Sequence, residues 1–333
     1  MSRYFAFAIT ALLLALEATA QRYQLLDNYT EANFFDNFDF ISSPDPSHGL
    51  VNYAAAHTAN NQRLAGFYSD SIYLGADHLN KVGFDGRPSV RVESKKTYNH
   101  GLFVGDFSHM PEGCGTWPAF WTYGTNPRWP DAGEIDIIEG VHIQGTNKMT
   151  LHTGSGCIMA KEGTLENTLE ASLNCNEGMG YIGCRQEGGD MSGYGSGFND
   201  NGGGVYAMEW TSEHIAVWFF PRNSIPPGIL DTDSPEIASF GIPTAKFVGE
   251  DGCNIDEHFK NHVIVINLTM CGDWAGNVWD QFPTCTAKAS TCNDYVMNNP
   301  KAFTDAYWLV NSVRTYRKID ETRRSRIFGS VMS

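Results

Sequence analysis

Apolar and polar residues alternate at a period of two through much of this chain, and no long segment carries the 3.6-residue spacing of an amphipathic helix. Residues 89–93 and 101–107 alternate cleanly, 262–268 has Val-Ile-Val-Ile at its centre, and 306–316 reads as a last strand. Two further runs, 205–210 and 215–220, flank the polar residues 211–214 and predict a hairpin. Many strands joined by glycine-rich connections predict an all-β sandwich or jelly roll. Neither a repeat nor a Pro/Ser/Thr linker divides the chain, so one folded domain is expected. Two stretches lack the pattern. Residues 154–204 hold Cys157, Cys175 and Cys184 among many glycines. So long a segment is unusual for an idle connection, and a disulfide-pinned wall beside a functional cleft is expected. Residues 317–333 are basic and read as a solvated tail.

The densest chemical signal sits inside a strand-like run, Gly-Glu-Ile-Asp-Ile-Ile-Glu-Gly, from Gly133 to Gly140. Strand side chains alternate between faces, so Glu134 and Asp136 share one face and Ile135 and Ile137 the other. In a regular strand Glu139 would face away from Glu134. One extra residue around Ile137-Ile138, a β-bulge, returns it to the same face. Two glutamates leaning together over a strand can approach the roughly 5–5.5 Å that suits double-displacement glycoside hydrolysis, in which one carboxylate attacks and the other donates and then removes a proton. Asp136 between them can hydrogen-bond the attacking group and help keep the acid protonated. A solvent-facing acidic strand would alternate in the same way. The indoles nearby favour the chemical reading: Trp117, Trp121 and Trp129 lie just upstream, Trp274 further on, and sugar rings stack on such flat apolar faces. Any one of them would also serve as core.

The formal net charge of −15 repels nucleic acid and anionic membrane surfaces and leaves a neutral polymer as a natural partner. Arg3, an apolar run over residues 4–16 and the sequence Ala18-Thr19-Ala20 together read as a secretory signal cut before Gln21. The apolar run is too short for a membrane span. The eight cysteines, with no C-x-x-C pair, then predict four disulfides whose pairing stays open, Cys175 to Cys184 and Cys285 to Cys292 being the tempting local loops. No metal-ligand cluster stands out, and no cofactor is expected. Asn28-Tyr29-Thr30 is a plausible glycosylation site; Asn267-Leu268-Thr269 falls in an interior strand and is expected to stay unmodified.

Gly113-Cys114-Gly115-Thr116-Trp117-Pro118-Ala119-Phe120-Trp121 followed by the acidic run resembles glycoside hydrolase family 16, and most closely its fungal laminarinase-type endo-1,3(4)-β-glucanases. The segments 149–154, 218–222 and 267–276 look like that group too, and the resemblance covers roughly residues 22–316. It implies a concanavalin-like β-jelly roll with a concave cleft, a catalytic domain over 21–316 between a signal peptide (1–20) and an unassigned tail (317–333), and no metal. It implies Glu134 as nucleophile, Glu139 as acid/base and Asp136 as their helper. The bulged E-x-D-x-x-E spacing is the laminarinase form. His152 is implied to face the cleft and bind substrate, although a core histidine fits its strand equally well. Glu209 is a candidate for hydrogen-bonding sugar hydroxyls, or else a surface acid of the hairpin. The expected enzyme is a secreted, monomeric, retaining hydrolase of laminarin and lichenan. A non-catalytic glucan lectin would keep the indoles and lose the carboxylates, whereas a transglycosylase would keep both.

Overall fold

The computed structural model describes residues 23–164, 172–178 and 181–319. Two antiparallel sheets face one another, one of eight strands and one of seven. The predicted hairpin forms: Gly204–Trp210 pairs with His214–Pro221 along its whole length. The Thr211 hydroxyl accepts hydrogen bonds from the Glu213 and His214 amides and so closes the turn. Alternation puts Tyr206, Met208 and Trp210 into the space between the sheets, where they meet Phe120, Ile135, Ile137, Ile138, Leu151, Ile264 and Ile266 of the seven-stranded sheet. The opposite face of the hairpin, Val205 and Ala207, is buried as well, under Ile229 and Phe240 of the connection that follows it. Burial on both faces hides the period-two signal in such strands.

A second, smaller core surrounds the end of the strand His262–Met270, where short helical turns from residue 272 to 303 bring Trp279, Tyr295, Val296 and Phe303 against Leu268 and Met270. Two disulfides pin it, Cys114–Cys285 and Cys271–Cys292. The others are Cys157–Cys253 and Cys175–Cys184. Of the two tempting local loops only Cys175–Cys184 is real. Cys285 and Cys292 sit seven residues apart on different turns and reach separate partners.

Several boundaries differ from the sequence expectation. Residues 89–93 form two strands, Arg87–Ser89 and Arg91–Ser94, which leave Val90 between them. The first runs parallel to Val51–Tyr53; the second joins the seven-stranded sheet. Residues 154–204 are more regular than a wall of loops. Cys184–Glu187 is the edge strand of the seven-stranded sheet, and Gly195–Asp200 is a short helix. Four residues are too few for alternation to stand out in sequence. The final strand runs Tyr307–Lys318, so Arg317 and Lys318, read as tail, pair with Gln24 and Tyr23 of the first strand. Residues 1–20, read from the sequence as a signal segment, and residues 320–333 lie outside the described residues.

Candidate active site

The seven-stranded sheet turns one face to the core and the other outward. On the outer face stands the acidic strand Glu134–Glu139, between Thr116–Gly124 and Lys148–His152. Its register against Thr116–Gly124 pairs Asp136 with Trp121 and then Ile138 with Phe120, so Ile137 is the extra residue of a bulge. Ile135, Ile137 and Ile138 all enter the core. Glu134, Asp136 and Glu139 are thereby left together on the outer face, as the spacing predicts. A bulge frees backbone groups that need partners. Asn147 supplies them: its Nδ2 donates to the Ile137 carbonyl at 2.7 Å and its Oδ1 accepts from the Glu139 amide at 2.8 Å.

Two indoles address the two glutamates. Trp117 Nε1 donates to Glu139 Oε1 at 2.8 Å, and Trp129 Nε1 donates to Glu134 Oε2 at 2.8 Å. Trp121 donates to Asn267 Oδ1, stacks on Tyr123 and lies under the Arg91 guanidinium. Trp274 meets Trp117 edge to face at 5.6 Å, with the Lys148 and Arg185 cations over its ring. The four predicted tryptophans therefore all belong to this face. Asn267 is buried and bonded at both ends of its amide, to Trp121 and Tyr53, which leaves no room for a glycan there.

His152 is on the outer face too. Its Nε2 lies 3.2 Å from Asp136 Oδ2 and 3.9 Å from Glu134 Oε1, and its Nδ1 hydrogen-bonds Glu177. Burial disfavours an imidazolium, but the bonds to Asp136 and Glu177 and the Glu134 charge outweigh it and hold the ring's pKa well above its ordinary value. The three carboxyls are all shifted upward. For Glu134 the causes are burial and the Asp136 charge; for Asp136 they are burial and the Glu139 charge. Burial raises Glu139 to about 6, against the opposing pull of the Trp117 N–H and His152. Exposure separates the first two: the Glu134 side chain keeps 16% of its surface and Asp136 only 2%. Glu134, Asp136 and His152 also bring one potential ligand atom each within 4.8 Å of the others, a grouping not evident in the sequence. The pKa of each of the three is raised.

Glu209 does not belong here, contrary to the sequence expectation. It lies on the eight-stranded sheet, on the face turned away from the central core with Val205 and Ala207, and is 2% exposed. The Tyr23 hydroxyl donates to it at 2.7 Å and His214 Nε2 bonds it at 2.8 Å. It clasps the start of the described chain rather than addressing a ligand. Alternation gave its face along the strand but not which sheet the strand joins. Conversely, Glu177, Asn147, Arg91 and Arg185 escaped sequence reasoning. Only Arg91 carried a signal, its place in an alternating strand beside Glu93.

A family model described as the XgeA-like, catalytic GH16 domain matches residues 38–316. The chain is 44% identical over 316 residues to an endo-1,3(4)-beta-glucanase of Arthroderma benhamiae, covering 92% of this chain and 68% of that protein. Aspergillus relatives are longer: the chain spans about half of a probable endo-1,3(4)-beta-glucanase of Aspergillus fumigatus, 47% of its length, at 44% identity over 91% of this chain. Among solved structures, the laminarinase 16A of Phanerochaete chrysosporium, described with two β-glucans in donor and acceptor sites, superposes with a TM-score of 0.81 at 42% identity, over 89% of this chain and all of that one. An elongating GH family 16 beta-1,3-glucosyltransferase superposes with a TM-score of 0.80 at 41% identity, over 89% of this chain and 100% of the other.

Proposed function

Because this chain belongs to glycoside hydrolase family 16, we propose that it is a secreted endo-β-1,3(4)-glucanase that cuts laminarin and lichenan by retaining double displacement. The observation that carries this reading is the bulged strand with Glu134 and Glu139 on one face, each carboxylate touched by its own indole N–H. Glu134 is the nucleophile. The Trp129 N–H and the nearby His152 favour its anion. Burial and mutual charge force a shared proton on the Glu134–Asp136 pair, and the attacking form is the one in which the less exposed Asp136 carries it. Glu139, raised to about 6, holds a proton in mildly acidic solution and delivers it to the departing glycosidic oxygen. Glu134 closes on the anomeric carbon as that bond breaks. Glu139, now ionised, takes a proton from water, which attacks the glycosyl-enzyme and frees Glu134. Trp117, Trp121, Trp129 and Trp274 supply flat faces on which glucose rings can stack.

Digestion of laminarin, lichenan, cellulose and xyloglucan by the purified protein tests the substrate class, and proton NMR of the first products tests the stereochemistry. Shorter reducing-end sugars of β configuration from the first two substrates are expected; an initial α-anomer would mean inversion and a wrong picture of the strand. The likeness to an elongating glucosyltransferase favours one second reading, transfer to a sugar acceptor instead of water. Products longer than the starting oligomer would mark it.

A further inference from the structure

His142 follows Glu139 by three residues and takes no part in the chemistry above. It is 1% exposed, with a backbone φ of 57°. Both ring nitrogens have backbone partners: the Gly115 amide donates to Nδ1 at 2.9 Å, and Nε2 lies 2.7 Å from the Ala275 carbonyl. An amide only donates and a carbonyl only accepts, so the ring is the neutral tautomer with its proton on Nε2. Its own amide donates to the Thr116 carbonyl at 2.9 Å. Trp279 and Phe282 pack edge-on around the ring. Burial lowers its pKa to about 4, so the tautomer persists in mildly acidic solution.

Three segments meet at this ring. Gly115 and Thr116 lead directly into Trp117, whose indole N–H holds Glu139. Ala275 adjoins Trp274 in the tight turn Gly272–Gly276. His142 itself ends the acidic strand's continuation. The two indoles touch each other at 5.6 Å, edge to face. We propose that His142 is a positioning residue for the acid/base: by bridging Gly115 and Ala275 it fixes Trp117 and Trp274 around Glu139 and so sets the direction in which that carboxyl delivers its proton. The inference rests on the reading of Glu139 as acid/base.

Two substitutions divide the ring's functions. The Gln amide reaches the place of Nε2 and can still donate to Ala275; the Asn amide reaches the place of Nδ1 and can accept only from Gly115. His142→Asn is expected to lower kcat on laminarin about tenfold or more with little change in KM, since proton transfer by a positioned group contributes about 10²–10⁴-fold. The first-turnover rate on an aryl β-glycoside with a good leaving group, which needs little protonation, should fall less than about threefold. The basic limb of kcat/KM on laminarin should move to higher pH: without the Ala275 anchor Trp274 no longer braces Trp117 edge to face, and Glu139 loses part of the Trp117 bond that lowers its pKa. His142→Gln should restore most of the laminarin rate. Phe303→Leu, in the same small core, controls for general loosening: at matched loss of Tm it should slow both substrates alike or neither. Equal slowing of both substrates by His142→Asn, an unmoved pH limb, or a rate no lower than that of the matched control would overturn the proposal. If instead the wild-type protein cleaves no glucan, or Glu134→Gln leaves turnover intact, it is the functional reading that fails.

Discussion

A glutamate that must be ionised to attack is held, in this site, where a proton is favoured. Burial and the Asp136 charge raise the pKa of Glu134 above that of the unfolded chain. An acid with a raised folded pKa contributes stability that is complete below its unfolded pKa, near 4.5, and is lost as the pH rises toward the folded value. Glu134→Gln keeps the shape and removes that loss. It is expected to unfold at a higher temperature than wild type near pH 7, by the equivalent of about 1–3 kcal/mol, and at nearly the same temperature at pH 4. Calorimetry at the two pH values checks this. The same variant should lose hydrolysis by about three orders of magnitude or more. Glu139→Ala removes the proton donor but leaves the nucleophile. On an activated aryl glycoside the glycosyl-enzyme should accumulate, and added azide should release it as a β-glycosyl azide. An α-azide from this variant would mean the two roles are reversed. These three acids were legible because a period of two, plus one inserted residue, decides which side chains share a face. Glu177 was not, because it reaches His152 from a segment without periodicity, and Glu209 was misread because a strand's alternation says nothing of which sheet it joins.

The bulge is the element on which the site depends, and its stability is borrowed from a neighbour in space. Asn147 replaces the hydrogen bonds that a regular ladder would have made to Ile137 and Glu139. Asn147→Leu would bury an unpaired amide and an unpaired carbonyl. A loss of about 2–4 kcal/mol is expected, read from urea unfolding, with the glutamate amide free to shift and turnover reduced accordingly. A variant as stable as wild type would mean the strand can straighten without cost. The need for a bulge is readable from E-x-D-x-x-E, but the residue that satisfies it is not, since nothing in the sequence ties Asn147 to a carbonyl ten positions earlier. The same limit applies to residues 154–204. Cys184–Glu187 is a strand because Lys148–Glu187 and Thr150–Arg185 pairing completes the sheet edge, which is a property of the partner strand.

His142 and His262, far apart in the molecule, respond to acid in the sense opposite to the three site carboxyls. Burial lowers His142 to about 4 and His262 to about 3; His262 Nε2 donates to the Ala132 carbonyl, two residues ahead of Glu134. A histidine with a lowered folded pKa leaves the unfolded chain holding more protons, so its contribution to stability is lost as the pH falls from about 6.5 toward the folded value. His262→Gln can keep the donor to Ala132 while removing the titration. Its stability, measured by denaturant unfolding, should vary less with pH between 4 and 6 than that of wild type; an unchanged slope would mean His262 is already protonated in the fold. The two-sheet architecture was visible from alternation and composition, whereas the second core of short turns was not, because its residues come from segments too short to carry a period.

The strand Tyr307–Lys318 lies in the interior of the eight-stranded sheet, paired on its sides with Gly101–His109, Ser71–Gly75 and Tyr23–Tyr29. Of the described strands it is also the last that a ribosome makes. The sheet therefore stays split, with the edges of strands from the first third of the chain unpaired, until synthesis has passed residue 318, and folding must wait for contacts between the two ends of the domain. Until then the nascent domain is an open sandwich. Its need for protection from aggregation peaks just before residues 307–318 are made, when every strand they will pair with already exists.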